Sequence, residues 1–284
     1  MTSPRVLVFD SGVGGLSIAG CIHRQLPAVR LLYLADNAGF PYGNQPESVV
    51  IERSQSLITA AIEEYPCDVI VVACNTASTV VLPHLRAIMS IPVIGVVPAI
   101  KPAVALSVNR RIGVLATPAT VRRPYLGDLI NEFADGCQVE RLGHPDLVHW
   151  IERLVTGVPV QETLLSRALQ PFRDAGVDTV VLGCTHYPLI SELLRAQLPD
   201  VKYWVDSGDA IARRTAWLLE QKGYPADRLA SSPTGKPFEA ALFTGDAPGG
   251  LEVFLEQLDL ASSDIRGQWP ASAETEAATA AGSA

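Results

Sequence analysis

The chain has 284 residues, 48% of them hydrophobic, enough to bury one large core or two ordinary ones. Its 22 basic and 30 acidic residues leave a formal charge of −8, which argues against nucleic acid as a partner because a polyanion is repelled unless a local basic patch overrides the field. No run reaches the roughly 18 uncharged apolar residues of a membrane span, no signal peptide opens the chain, and five scattered cysteines without a C-x-x-C pair exclude a disulfide framework. The expectation is a soluble cytoplasmic protein.

In chain order, RVLVFD from Arg5 reads as a buried strand ending on Asp10, followed by a glycine turn, SGVGG, and a helix over 15–25. RLLYLAD is a second strand ending on Asp36. A turn, FPYGN, leads to a helix over 47–64, and DVIVVAC is a third strand ending on Cys74. A helix over 76–89, the strand IPVIGVV and the strand RRIGVLAT, ending on Thr117, come next. A helix over 160–175 precedes DTVVLGC, which ends on Cys184, and VKYWVDS follows. The last elements are a helix over 210–222, the strand AALFTGD and the helical run GGLEVFLEQL. This alternation predicts an α/β fold with mainly parallel sheets covered on both faces, whose functional residues cluster at the carboxyl ends of strands.

An internal echo divides the chain. Asp68 precedes Cys74 by six residues, as Asp178 precedes Cys184, and RVLVFDS aligns with RIGVLAT. Two pseudo-symmetric three-layer lobes facing one cleft are expected: a discontinuous first lobe from 1–97 and 208–260, and a second from 98–207. Residues 261–284, small, polar and aperiodic, read as a disordered tail in which Trp269 alone suggests docking.

Cys74 and Cys184 stand where a strand ends and a helix is expected to begin, so backbone N–H groups there favour the thiolate and should lower the thiol pKa. Cys21 and Cys67 read as buried filler, and Cys137 is undecided. His186, two residues beyond Cys184, can take or return a proton at the same site. A zinc site is the competing reading for this pair, but no second ligand pair at usual spacing accompanies it. Asp10 occupies the equivalent strand end, where capping the next helix is its bland alternative. The glycines after it would let backbone approach an anionic substrate. GVGGLS with Asp36 also resembles a dinucleotide fingerprint weakly, Ser17 replacing the third glycine. Two thiols facing one cleft suit inversion at a carbon, where one base removes a proton and a conjugate acid supplies another to the opposite face. A pyridoxal cofactor would need a Schiff-base lysine, and Lys101 is a poor candidate between two prolines, so no cofactor is expected.

FDSGVGG, FPYGN, VACNTAS, ATPAT, VVLGCTHYP and VDSGDA resemble, in order and separation, the successive motifs of bacterial glutamate racemases of the aspartate/glutamate racemase superfamily. The resemblance covers about Arg5 to Leu260. It implies two α/β lobes and a cofactor-free interconversion of L- and D-glutamate that supplies D-glutamate for peptidoglycan. It further implies that Cys74 serves D-glutamate and Cys184 L-glutamate, with Asp10 supporting the first thiol and His186 the second, and with Glu152 on a helix near the site. Ser11, Tyr42, Gly43, Asn75, Thr76 and Thr185, with Thr117 and Thr120 from the second lobe, would join Asp10 and His186 in holding the substrate. A homodimer is implied, and DNA gyrase is a partner of some relatives that nothing in this sequence indicates. His144, Gly39, Arg123 and Tyr125 depart from the usual pattern at the pocket edge. The start directly before the first strand suggests that activation by a cell-wall precursor through an N-terminal extension is not used.

Overall fold

The computed structural model describes residues 3–232 and 235–270. Among the described residues, ten strands form two separate parallel sheets. The first comprises β1 (Arg5–Asp10), β2 (Arg30–Ala35), β3 (Val69–Val72), β4 (Val93–Gly95), β9 (Phe238–Phe243) and β10 (Ile265–Arg266), in the order β10-β9-β2-β1-β3-β4. The second comprises β5 (Arg111–Ala116), β6 (Gln138–Gly143), β7 (Thr179–Leu182) and β8 (Tyr203–Val205), in the order β6-β5-β7-β8.

Helices on both faces explain why the central strands are apolar at nearly every position. In β1, Val6 and Val8 face a cluster with Leu16 and Ile22, whereas Leu7 and Phe9 face an opposite cluster with Ile58 and Val81. The second sheet repeats this arrangement: Val180 and Leu182 of β7 enter one cluster and Val181 the other. The echo in the sequence is an echo in space, since β2-β1-β3-β4 and β6-β5-β7-β8 share one strand order. Asp68 and Asp178 do similar work below the two central strands. Asp68 accepts the N–H of Arg5, and Asp178 accepts those of Val108 and Asn109, so each carboxylate ties the entry of its strand to a neighbouring segment.

Two expectations need correction, and one strand escaped the sequence reading. Strand β6 was not legible, because it is a sheet edge whose residues are all half-buried or exposed and include Gln138, Glu140 and Arg141. The helix expected over 160–175 is two, Glu162–Ala168 and Gln170–Ala175, with Pro171 at the start of the second, where a continuous helix would lose a hydrogen bond and meet the ring. Residues 261–270, expected to be disordered, instead extend the first sheet. β10 pairs with β9, Ser263 N–H bonds to Phe238 O, and Trp269 is 5% exposed with its indole N–H on Glu64 Oε2 at 3.0 Å. Two paired residues leave no periodic signal to read. The remainder of the expected tail, 271–284, lies outside the described residues.

Candidate active site

Carboxyl ends of strands from both sheets meet at one small cavity, about 20 Å3 in volume, which holds little more than a water molecule. Ser11 follows β1, Tyr42 and Gly43 follow β2, and Cys74, Asn75 and Thr76 follow β3. Thr117 follows β5, and Cys184, Thr185 and His186 follow β7; all of these line the cavity. Thr120, Asp10 and Glu152 stand behind this lining. Thr120 Oγ1 accepts from Thr117 at 3.0 Å and lies 3.5 Å from Thr76 Oγ1 of the other lobe. Phe40, Pro41 and Val148 also line the cavity without having been singled out. The FPYGN motif contained the first two; Val148, on an ordinary helix face, carries no signal of its own.

Cys74 caps the helix Asn75–Ile88, with Ala77 N–H donating to its Sγ at 3.5 Å and Ser11 Oγ at 3.8 Å. The expected lowering of this thiol is not what the surroundings produce. Burial, followed by the nearby Asp10 charge, pushes Cys74 well above the ordinary thiol range, and the Ala77 N–H opposes this only in part. Cys184 is built differently. After it comes a short 3-10 turn, Tyr187–Ile190, in place of a helix cap, and its Sγ lies 3.6 Å from His186 Nδ1. His186 Nε2 is 2.6 Å from Glu152 Oε1. Burial disfavours an imidazolium here, but its contacts with Cys184 and Glu152 outweigh that and raise His186 well above its ordinary range. With both ring nitrogens engaged, His186 is not presented as a metal ligand. Among the described residues no group of three His, Cys, Asp or Glu side chains could hold an ion.

Asp10 is fully buried, and its carboxylate accepts from Thr185 Oγ1 at 3.0 Å and Gly12 N–H at 3.1 Å. It therefore acts on Cys74 through its field, while its bonds reach the Cys184 side. Burial raises it to about 6, with the His186 charge working in the other direction.

The glycines make room for the opposite lobe. A Cβ on Gly12 would lie 2.0 Å from Glu152 Oε1, and one on Gly14 would lie 2.4 Å from His186 Nδ1. This loop makes room for side chains of the opposite lobe, and Val13 N–H donates to Glu152 Oε1 at 2.8 Å. Tyr33 supports it from below through a bond to Gly12 O.

Asp36 is not free to hold a ribose. Its fully buried carboxylate accepts from Tyr42 OH, from Arg53 twice and from Thr244 Oγ1. Burial opposes ionisation, yet these bonds prevail and hold it below the usual carboxylate range. Tyr42 consequently presents its ring to the cavity while its hydroxyl is committed. Asn75 Oδ1, in contrast, is buried and finds no partner among the described residues, which leaves an acceptor at the cavity wall. Lys101 is exposed on the helix Ile100–Leu106, with its ammonium over Phe133 rather than in the cavity.

The departures at the pocket edge have local explanations. A Cβ on Gly39 would meet Asp36 Oδ2 at 2.6 Å, Arg123 pairs with Glu47 across the lobes, and His144 packs on Trp150 at 4.9 Å.

Comparison with known proteins agrees with this geometry. A sequence profile of the Asp/Glu/Hydantoin racemase family matches residues 9–215. A glutamate racemase of Klebsiella pneumoniae is 49% identical over 241 residues, covering 84% of each chain. One of Salmonella typhimurium is 51% identical over 221 residues, covering 77% of this chain and 78% of the relative. Among solved structures, Escherichia coli glutamate racemase in complex with L-glutamate and the activator UDP-MurNAc-Ala superposes with a TM-score of 0.84 at 44% identity, covering 93% of this chain and 98% of that one. The RacE1 glutamate racemase of Bacillus anthracis gives 0.76 at 30% identity, covering 94% and 98%.

Proposed function

This chain belongs to the Asp/Glu/Hydantoin racemase family, and on that premise we propose that it interconverts L- and D-glutamate with two thiols acting on opposite faces of the α-carbon. One observation carries the reading: Cys74 and Cys184, from equivalent strand ends of two similar lobes, line the same cavity.

With L-glutamate, the Cys184 thiolate takes the α-proton while the Cys74 thiol delivers its own to the opposite face; with D-glutamate the roles exchange. The raised Cys74 suits a proton donor. His186, held as an imidazolium, stands with its Nδ1 3.6 Å from the Cys184 sulfur and so places a positive charge on the accepting side. Neither bias is permanent, because a bound ammonium group brings positive charge to the fully buried Cys74 and lowers the cost of its thiolate. Asn75 Oδ1 accepts from that ammonium. Hydroxyls of Ser11 and Thr76, with the backbone at Gly43, meet the carboxylates, and those of Thr117 and Thr185 join them by turning their single hydrogens away from Thr120 and Asp10.

Glutamate is far larger than a cavity of about 20 Å3, so the lobes part to admit it, releasing interlobe contacts such as Thr76–Thr120 and Arg123–Glu47. The reaction needs no cofactor. It belongs in the cytoplasm, in a homodimer, where its D-enantiomer feeds peptidoglycan synthesis. Among the described residues no helix is long and apolar enough to cross a membrane.

Polarimetry tests the reading. Purified protein without added cofactor or metal should take either glutamate enantiomer to zero rotation and leave aspartate unchanged. A preference for aspartate would move the protein to another substrate of the same family, and activity toward neither would reject the assignment.

A further inference from the structure

The segment between β2 and the helix Glu47–Glu64 supplies Phe40, Pro41, Tyr42 and Gly43 to the substrate cavity, yet its only regular structure is two short 3-10 turns, Asn37–Gly39 and Tyr42–Asn44. Its main-chain bonds are local: Phe40 N–H to Asn37 O, Asn44 N–H to Pro41 O and Gln45 N–H to Tyr42 O. The Tyr42 hydroxyl ties it to the sheet, donating to Asp36 Oδ2 at 2.6 Å just beyond the end of β2. Asp36 is fully buried, and its own N–H donates to Asp10 O at 2.9 Å.

A carboxylate at that depth is costly unless a cation pairs with it. Arg53, on the helix Glu47–Glu64, is that cation. Its Nε reaches Oδ2 at 2.7 Å and its Nη2 reaches Oδ1 at 2.6 Å, a two-pronged pairing that fixes the plane of the carboxylate. Thr244 Oγ1 donates to Oδ1 at 2.7 Å, so each oxygen accepts from two donors. Gly39 leaves the space for this: a Cβ there would lie 2.9 Å from Arg53 Nε and 3.1 Å from Tyr42 Cε1. The Arg53 side chain is 37% exposed, so the pair is reached from solvent on the guanidinium side.

Resting on the glutamate reading above, we propose that Arg53 is a positioning residue for racemisation: by clamping both oxygens of Asp36, it seats Tyr42 and the turn that carries Gly43 against the substrate. Arg53 itself does not line the cavity. Without the guanidinium, Asp36 keeps only the two hydroxyl donors. Ionised, it is a buried charge without a counter-ion; protonated, its own O–H competes with Tyr42 for the same oxygens. Either way Tyr42 loses a fixed acceptor. The turn it anchors meets the second lobe, a Cβ on Gly43 lying 3.4 Å from Ala119 Cβ, so slack at Tyr42 is slack where the closed cavity grips glutamate. Cys74 and Cys184 follow β3 and β7 and keep their places, so the loss falls on binding and spares proton transfer.

Kinetics with both enantiomers test this. In Arg53→Ala, KM for L- and D-glutamate should rise alike, by roughly tenfold, while kcat stays within about threefold of the parent. Guanidinium ion at tens of millimolar, far below denaturing concentrations, should enter the vacated slot and bring KM back down, and sodium at the same concentration should not. Arg53→Lys keeps a cation beside Asp36 without the two-pronged grip, so its KM should lie between those of the parent and Arg53→Ala; it serves if the alanine variant does not fold. In an Asp36→Asn background, where no buried charge needs a partner, Arg53→Ala should raise KM by less than about twofold. A loss confined to kcat, a rise in KM that guanidinium leaves unchanged, the same rise over Asp36→Asn, or a parental KM where only Arg53→Lys folds would overturn the proposal. Failure of the parent protein to turn over either enantiomer would instead remove the glutamate reading, and this inference with it.

Discussion

The surroundings of Cys74 and Cys184 differ more than the scaffolds that carry them. Each thiol follows an interior strand of the four-strand order that the two sheets share, two residues after β3 in one lobe and after β7 in the other. Yet Cys74 caps a 14-residue helix and has a hydroxyl and a buried carboxylate near it, whereas Cys184 has an imidazole paired to a second carboxylate. A repeated fold thus fixes where the two sulfur atoms are and leaves their surroundings to local residues. One half biases its thiol toward the protonated form; the other sets an imidazole paired to a carboxylate beside its thiol.

The largest effects should come from the thiols themselves. Cys74→Ser and Cys184→Ser are each expected to lower racemisation by about a thousandfold, since a hydroxyl is a far weaker acid than a thiol and general acid–base groups contribute roughly 10²–10⁴. Polarimetry at neutral pH checks this, and near-parental turnover in either variant would end the two-thiol account. His186→Asn sharpens the comparison. Removing the cation from one side should slow α-proton loss from L-glutamate by about a hundredfold and that from D-glutamate much less. Equal slowing of both would mean that the two sides are not separable.

Much of this contrast was legible in the sequence. Both cysteines, His186 and Asp10 stand at ends of apolar runs, and the repeat spacing relates the lobes. The direction in which Cys74 is perturbed was not legible, because a strand-to-helix junction suggests a lowered thiol, while the burial that decides the matter arises from both lobes closing over it. The packing role of the glycine loop was likewise not legible, since the atoms it accommodates, on Glu152 and His186, lie more than a hundred residues away in the chain. Strand β10 was invisible for another reason: sheet-edge pairing through main-chain atoms requires no particular side chains.

Asp10 provides a smaller, pH-dependent effect. Burial raises it from 3.8 to about 6, so the folded protein holds this proton more tightly than the unfolded chain does. Its contribution to stability is complete below the lower value and is lost as the pH rises through the higher one. Asp10→Asn should therefore be more stable than the parent at pH 8, by up to about 3 kcal/mol, with the gain vanishing near pH 4. Denaturant unfolding at both pH values checks it, and a gain that grew toward low pH would contradict the sign.

The smallest effect on chemistry should come from the part of the first sheet that the second lacks. Trp269→Ala removes a buried ring and its bond to Glu64, at a cost of about 3 kcal/mol. Turnover per folded molecule should stay at the parental level. Altered turnover at full folding would tie this strand extension to the site.

The central claim, two bases on opposite faces of one carbon, is tested most directly in heavy water. L-glutamate is incubated with the protein, and both enantiomers are separated at early conversion for α-deuterium content. The account predicts fully deuterated D-glutamate beside L-glutamate that still carries protium, because the proton entering comes from a different thiol than the one that receives the proton leaving. Substantial α-protium in the early D-product, carried over from the substrate, would mean that a single base serves both faces.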